Sequence, residues 1–332
     1  MSRLDACTWL SDYGTVLAHE PLSRHLTMRI GGPARWFVQI QSDERLCALL
    51  ARLKAENIPW CVLGGGSNSV APDAGLEMVV VQPRLMRMQI EPSGRVTAEA
   101  GVITALFARQ VTEAGYTGWE WGVGLPGTIG GAIAGNAGCF GGDTAQNLVE
   151  VEAWNARTGA LEVYAADACR FGYRESRFLH EPHVILRAHW QLQQAANPTE
   201  ARERLREILQ ERQTHQPLGK ASAGCVFRNT RVDREILRAL EERLGAPVPG
   251  VGRAEGWVPS GWLLERLGYK GAAEGSMRVS DKHANFFVMQ EQGTCADLLS
   301  LRARIIDEVY EATGIRLIGE VRLLGDSSSV LH

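Results

Sequence analysis

Three segments of this chain carry side chains whose types could do chemistry: those of Arg174, Cys225 and Glu320. Arg174 lies in Phe171-Gly172-Tyr173-Arg174-Glu175-Ser176-Arg177-Phe178, where polar groups alternate with aromatics. A guanidinium held there can fork two hydrogen bonds to a carboxylate, although alone it reads equally as a surface ion-pair residue. Cys225 sits in Ser222-Ala223-Gly224-Cys225-Val226-Phe227-Arg228-Asn229, one thiol among small residues, and a single cysteine is most often a buried hydrophobe. Glu320 shares a face with Arg316 and Arg322 under the two-residue period of a strand, so a salt-bridged carboxylate is its default reading.

Glycine supplies a second kind of chemistry. The 36 glycines among 332 residues exceed the usual share of about 7%. They cluster at Gly31-Gly32, at Gly64-Gly65-Gly66 and from Gly122 to Gly142. Such places let the backbone take positive φ or bring amides close to a ligand, a common device for holding phosphates. Gly64-Gly65-Gly66-Ser67-Asn68-Ser69 offers consecutive amides and two hydroxyls suited to a pyrophosphate, or simply a tight turn. It is not a Walker loop, since no Lys-Ser/Thr pair follows, and Pro72 interrupts the helix a dinucleotide fingerprint needs. Gly122-Val123-Gly124-Leu125-Pro126-Gly127 fits G-x-G-x-x-G, but Gly118-Trp119-Glu120-Trp121 before it does not read as a strand. The run from Leu125 to Gly138 carries almost no bulky side chain, so a large flat group could lie against it, or two elements could pack closely there.

Capping and periodicity mark the elements that must position these residues. Ser42 with Asp43 and Glu44 starts a helix whose Leu46, Leu49, Leu50 and Leu53 share one face. Trp60 to Leu63 is a short strand running into Gly64, and Met78 to Val81 is the next strand. A helix over 104–114 stops at Gly115, and alternation between Val149 and Leu192 indicates strands. The polar stretch Gln193–Glu200, containing Pro198, marks a boundary before an amphipathic helix from Ala201 to Arg212. Thr294 and Asp297 open a last helix that ends at Gly314, and a strand from Ile315 to Leu324 follows.

Composition narrows the function. Hydrophobic residues at 45% and charged residues at 22% are values of a folded globular protein. Lys plus Arg 35 against Asp plus Glu 38 leaves no basic excess for a nucleic acid or an anionic membrane. Cys7, Cys47, Cys61, Cys139, Cys169, Cys225 and Cys295 contain no C-x-x-C pair, which suggests neither a disulfide framework nor a metal site and fits a reducing cytoplasm. No apolar leader or 18-residue apolar stretch stands out. A cytoplasmic protein with neither nucleic acid nor membrane as partner is expected; oligomeric state is not legible.

Taken in order, these segments resemble the UDP-N-acetylenolpyruvoylglucosamine reductase (MurB) family. The carriers are Leu26 to Ala34, Gly64 to Asn68, Gly124 to Gly131 with Asn136-Ala137-Gly138, Tyr173 to Ser176, Ser222 to Asn229, Lys282 to Phe286 and Glu320-Val321-Arg322. They span about residues 22 to 325. The resemblance implies an α+β fold: a flavin-binding module of the vanillyl-alcohol-oxidase type in two α/β lobes, 1–82 and 83–198, and a substrate-binding domain over 199–319. The C-terminal strand, 315–332, would join the first lobe.

The resemblance also implies FAD as cofactor and NADPH as reducing co-substrate. FAD would contact Ile30, Gly64, Gly65, Gly66, Ser67, Asn68 and Ser69, with Gly124, Pro126, Gly127, Thr128, Gly130, Gly131, Asn136, Ala137 and Gly138 on the second segment. Hydride from the flavin would add to C3 of an enolpyruvyl sugar nucleotide. Arg174 would bind and polarise its carboxylate, Tyr173 would contact the substrate, Glu320 would stabilise the enolate-like intermediate, and Cys225 would protonate C2. Asn229 and His283 would lie near the substrate. Cys225 stands where many relatives carry serine; a thiol can protonate an enolate directly. Thr230 stands where proline is common, the stretch Gly245–Pro259 is long, and the tyrosine-bearing insertion of one subgroup is missing. Two other readings differ in kind: a flavin oxidoreductase of the same module acting on another substrate, or a non-catalytic nucleotide-sugar or flavin-binding protein.

Overall fold

The computed structural model describes residues 3–249 and 256–325. The chain divides into two compact units, one of residues 1–20, 34–65 and 76–212, the other of 21–33, 66–75 and 213–332. Part of the long Gly245–Pro259 stretch and the end of the 315–332 segment lie outside the described residues.

The first unit carries two sheets. The smaller has the order Thr15–Pro21, Pro33–Ile40, Leu76–Pro83, Trp60–Val62, and its last three strands run parallel. Parallel neighbours need a crossover, and the helix Asp43–Ala55 supplies it. Ser42 caps that helix by accepting from the Arg45 amide. Leu46, Leu49, Leu50 and Leu53 face Val38, Ile40, Val79 and Val81 in one apolar cluster. The larger sheet is antiparallel, in the order Ala160–Ala165, Leu148–Asn155, His183–Gln191, Arg95–Glu99, Met88–Ile90. Against it packs the helix Thr104–Glu113, whose Phe107 meets Trp119 at 4.5 Å and Trp190 at 5.0 Å between ring centroids. The expected amphipathic helix is longer than its periodicity indicated, Pro198–His215. Pro198 opens it, because a first-turn proline surrenders only an amide that the helix leaves unbonded anyway.

In the second unit, the helix Cys295–Thr313 carries the expected capping box of Thr294 and Asp297 and ends at Gly314, φ 72°. Asp73 adds to this cap, accepting from the Cys295 and Ala296 amides at 2.7 and 3.0 Å. Leu298, Leu301, Ile305 and Val309 pack with Val226, Phe227, Phe287 and Val321. A three-stranded antiparallel sheet, Ala273–Glu274, Met277–Val279 and Phe287–Met289, lies beside them. The expected strand Ile315–Leu324 is mostly irregular: only Arg322–Leu323 pairs continuously, parallel to Ser69–Val70. Its alternation survives nevertheless, with residues 315, 317, 319 and 321 buried and the residues between them more exposed. Among the described residues, no helix is long and apolar enough to cross a membrane.

Candidate active site

In the first unit the two glycine-rich segments meet. A Cβ on Gly65 would lie 2.7 Å from the Gly127 Cα, and one on Gly64 would lie 2.9 Å from the Thr128 hydroxyl. Only bare backbone permits this crossing. Gly124 and Gly127 take φ of 70° and 106°, conformations L side chains rarely adopt. Beyond Thr128 the chain forms a short helix, Ile129–Ala134, that the glycine content concealed. Its Ile129 and Gly130 amides are taken up by the Val102 and Ala100 carbonyls, so they hold the segment in place.

Tyr173 and Arg174 lie in a tight turn in which Gly172 and Glu175 exchange backbone hydrogen bonds of 3.0 and 3.2 Å. The turn is fastened to the glycine-rich segment. Asn136, 4% exposed, donates to the Gly172 carbonyl at 2.9 Å and accepts from the Ala145 amide at 3.1 Å. Ser176 donates to the Ala134 carbonyl at 2.6 Å. Arg174 has φ 55° and donates from Nη2 to the Gly138 carbonyl at 2.8 Å, its guanidinium 5.3 Å from the Tyr173 ring centroid. The side chain of Asn136 and the Ala137 amide, which donates to Ala132, are thus structural contacts of the segment that frames Arg174.

The second unit holds Ile30, Gly66, Ser67, Asn68, Ser69, Cys225, Asn229, His283 and Glu320. Here Cys225 and Glu320 come together through the main chain. Phe227 bridges Gly319 in antiparallel fashion, the Glu320 amide donates to the Val226 carbonyl at 2.8 Å, and the Arg228 amide donates to Ile318 at 2.8 Å. Cys225 bridges Phe286 on its other side. Gly224 takes φ 81° just before the thiol. Asn68 Nδ2 donates to the Glu320 carbonyl at 3.2 Å, and the Arg322 amide donates to the Asn68 carbonyl at 3.1 Å. Gly66 also has positive φ, 64°, and accepts from the Thr27 amide at 3.0 Å.

Asn229 accepts from the Ser260 amide at 3.3 Å, where the helix Ser260–Arg266 begins. His283 Nδ1 accepts from the Asn285 amide at 3.2 Å, and its ring covers Gly261. Burial holds its imidazole below the usual range, against the opposing pull of Glu265.

Two residues given no role from sequence organise these groups. Asn285, 3% exposed, accepts from the Phe227 amide at 2.9 Å and donates to the Phe227 carbonyl at 2.8 Å, acting as one extra rung of ladder beside Cys225. Its place two residues after His283 carried no signal of this. Arg212 did leave one: it follows Ala201, Leu205 and Ile208 at helical spacing on the buried face of its helix.

The glycine face can be tested against the shape of FAD. A Cβ at Gly131 or Gly135 would meet nothing nearer than 3.8 or 3.7 Å, so this side of the segment is open backbone that a flat or phosphate-bearing group can approach. The residues fit the group.

Comparison with known proteins agrees. Residues 34–163 match the FAD binding domain family, and residues 216–324 match the family described as UDP-N-acetylenolpyruvoylglucosamine reductase, C-terminal domain. The chain is 33% identical, over 94% of its length and 92% of the relative's, to the UDP-N-acetylenolpyruvoylglucosamine reductase of Synechococcus sp. (strain JA-3-3Ab). It is 34% identical to the enzyme of the same name from Synechococcus sp. (strain WH7803), covering 96% of each chain. The solved structure of UDP-N-acetylenolpyruvylglucosamine reductase (MurB) from Thermus caldophilus aligns with TM-score 0.71 at 28% identity, over 93% of this chain and 98% of that one. The expected α+β architecture, an FAD-binding module followed by a C-terminal domain, therefore holds. The chain belongs to the UDP-N-acetylenolpyruvoylglucosamine reductase (MurB) family.

Proposed function

We propose that this protein catalyses the NADPH-dependent, FAD-mediated reduction of UDP-N-acetylglucosamine enolpyruvate to UDP-N-acetylmuramate, a step toward peptidoglycan. In this reading residues 1–82 and 83–198 hold FAD, 199–319 hold the substrate, and the enzyme works in the cytoplasm. The observation that carries it is the main-chain pairing that sets Glu320 beside the Cys225 segment, Glu320 N to Val226 O at 2.8 Å. FAD, held along the Gly64–Ser69 and Gly124–Gly138 segments, would supply the hydride chemistry for reduction at C3 of the enolpyruvyl group, with NADPH as the source of electrons.

The chain's own groups handle the charge and the proton. Arg174, held at Gly138, binds the enolpyruvyl carboxylate and stabilises the negative charge that builds on it as C3 is reduced. Glu320 stabilises the same intermediate, donating a hydrogen bond when protonated or, when ionised, holding a cation beside it. Cys225 delivers its proton to C2; a thiol is far more acidic than a hydroxyl and can protonate an enolate directly. The thiolate then regains its proton from solvent. One hydride and one proton cross the double bond, and the reduced product leaves.

An anaerobic absorbance titration tests this. NADPH should bleach the oxidised-flavin bands, and UDP-N-acetylglucosamine enolpyruvate should restore them with formation of UDP-N-acetylmuramate. Failure to bind FAD overturns the reading. Flavin that bleaches but ignores the enolpyruvyl nucleotide reassigns the site to another substrate.

A further inference from the structure

We infer that Arg212 is a positioning residue for Arg174, acting through Cys139 and the Gly138 carbonyl. For the reaction step this rests on the function proposed above; the geometry does not.

Arg212 is 4% exposed, although it carries a permanent charge on an otherwise apolar helix face. Burying a guanidinium is costly unless hydrogen bonds compensate, so its contacts indicate what it holds. Nη2 lies 2.9 Å from Cys139 Sγ and donates to the Trp121 carbonyl at 3.4 Å. The guanidinium sits 5.1 Å from the Phe140 ring centroid. Its stem covers Gly124, where an added Cβ would lie 3.1 Å from Arg212 Cδ. The Cys139 thiol in turn donates to the Trp121 carbonyl at 3.3 Å.

These contacts converge on one small hairpin. Gly138–Cys139 pairs with Gly142–Asp143, and the Trp121 ring lies against Gly142, leaving no room for a Cβ. The Gly138 carbonyl of that hairpin is the acceptor for Arg174 at 2.8 Å. Arg212 thus clamps Trp121, Cys139 and Phe140 from one side, and Arg174 hangs on the next peptide. Cys139 senses both cations: burial pushes its thiol up, and the charges of Arg212 and Arg174 pull against that. The thiol is therefore a reporter of the arrangement that needs no turnover.

The test is a double-mutant cycle on the FAD-loaded full chain: Arg212→Gln, Arg174→Gln and both together. The first readout is the pH midpoint of iodoacetamide alkylation at Cys139, followed on its peptide by mass spectrometry. Each single substitution should raise the midpoint, and Arg174→Gln should add nothing once Arg212 is replaced. The second is the rate at which the enolpyruvyl nucleotide reoxidises reduced flavin. It should fall roughly 10- to 100-fold in Arg212→Gln, again without further loss in the double variant beyond Arg174→Gln. Bleaching by NADPH and FAD affinity should stay within about threefold, and Arg212→Lys should recover part of the rate. Additive effects in the alkylation cycle overturn the inference. Coupled alkylation with a wild-type flavin that the nucleotide never reoxidises leaves Arg212 as the positioner and overturns the function instead.

Discussion

The two units present their candidate reactive residues by opposite means. In the first, Arg174 itself takes the left-handed backbone, φ 55°, and buried polar side chains, Asn136 and Ser176, fasten its turn. In the second, Gly224 takes the left-handed φ, 81°, and leaves Cys225 on a backbone ladder that runs to Glu320. The contrast separates two routes to precision. A strained turn aims one long side chain and depends on the side chains around it. A ladder fixes short side chains through the main chain, and glycine bears the conformational demand.

The largest effect should sharpen this contrast. Cys225→Ala removes a proton donor but no ladder bond, so reoxidation of reduced flavin by the enolpyruvyl nucleotide should drop by roughly 10²- to 10⁴-fold. Thermal stability should hardly change, and Cys225→Ser should retain most of the rate. Stopped-flow absorbance checks this, and a full-rate alanine variant would remove Cys225 from the proposed chemistry.

Next come the two asparagines. Asn285→Ala leaves the buried amide and carbonyl of Phe227 without their side-chain partner, a cost of about 2–4 kcal/mol by denaturant titration, whereas Asn136→Ala frees only part-buried backbone groups and should cost less. The kinetic consequences should differ. Asn136→Ala should weaken enolpyruvyl-nucleotide binding, because it loosens the Arg174 turn. Asn285→Ala should slow the proton-dependent step, because it loosens the Phe227 rung beside Cys225. Identical kinetic profiles for the two would break the comparison.

A smaller matched pair probes the backbone itself. A Cβ at Gly224 meets nothing within 4 Å, so Gly224→Ala should cost on the order of 1 kcal/mol through φ alone. Conversely, Arg174→Gly should be more stable than Arg174→Ala by a similar amount, about 1 kcal/mol, since both lose the bond to Gly138 and only alanine keeps the strain. Differential melts of the two pairs give the numbers.

The smallest effect concerns pH. His283 is held below the usual histidine range by burial, with Lys270 and His215 in the same sense and Glu265 opposing. The unfolded imidazole binds a proton near pH 6.5 and the folded one only at lower pH. Below about pH 6.5 the unfolded chain therefore holds the extra proton, and stability falls as pH drops. His283→Asn should flatten that part of the stability profile; an unchanged slope would assign the acid sensitivity elsewhere.

Much of this could be read locally. Ser42, the Thr294 and Asp297 box, Gly115 and Gly314 act on neighbours three or four residues away, so their helices were legible without knowledge of the fold. The alternation from Ile315 to Arg322 told which face Glu320 shares, even where the ladder is broken. The helix Ile129–Ala134 was not legible, because glycine disfavours helix and bonds to the distant Val102, Ala100 and Ser176 anchor it.

What the sequence determined by itself, then, was a set of short-range structures and a collection of reactive side chains. Tertiary structure decided their grouping. It drew residues 21–33 and 66–75 into the unit of Cys225, dividing the Gly64–Ser69 segment between the two units. It tied Asn68 to Glu320 across 252 residues and Thr27 to Ser222 across 195. It also set buried Arg212 against Cys139. Bonds that span such distances leave no period or spacing in the chain. They form only because buried polar groups must find partners, and the partner available depends on the packing of the whole unit.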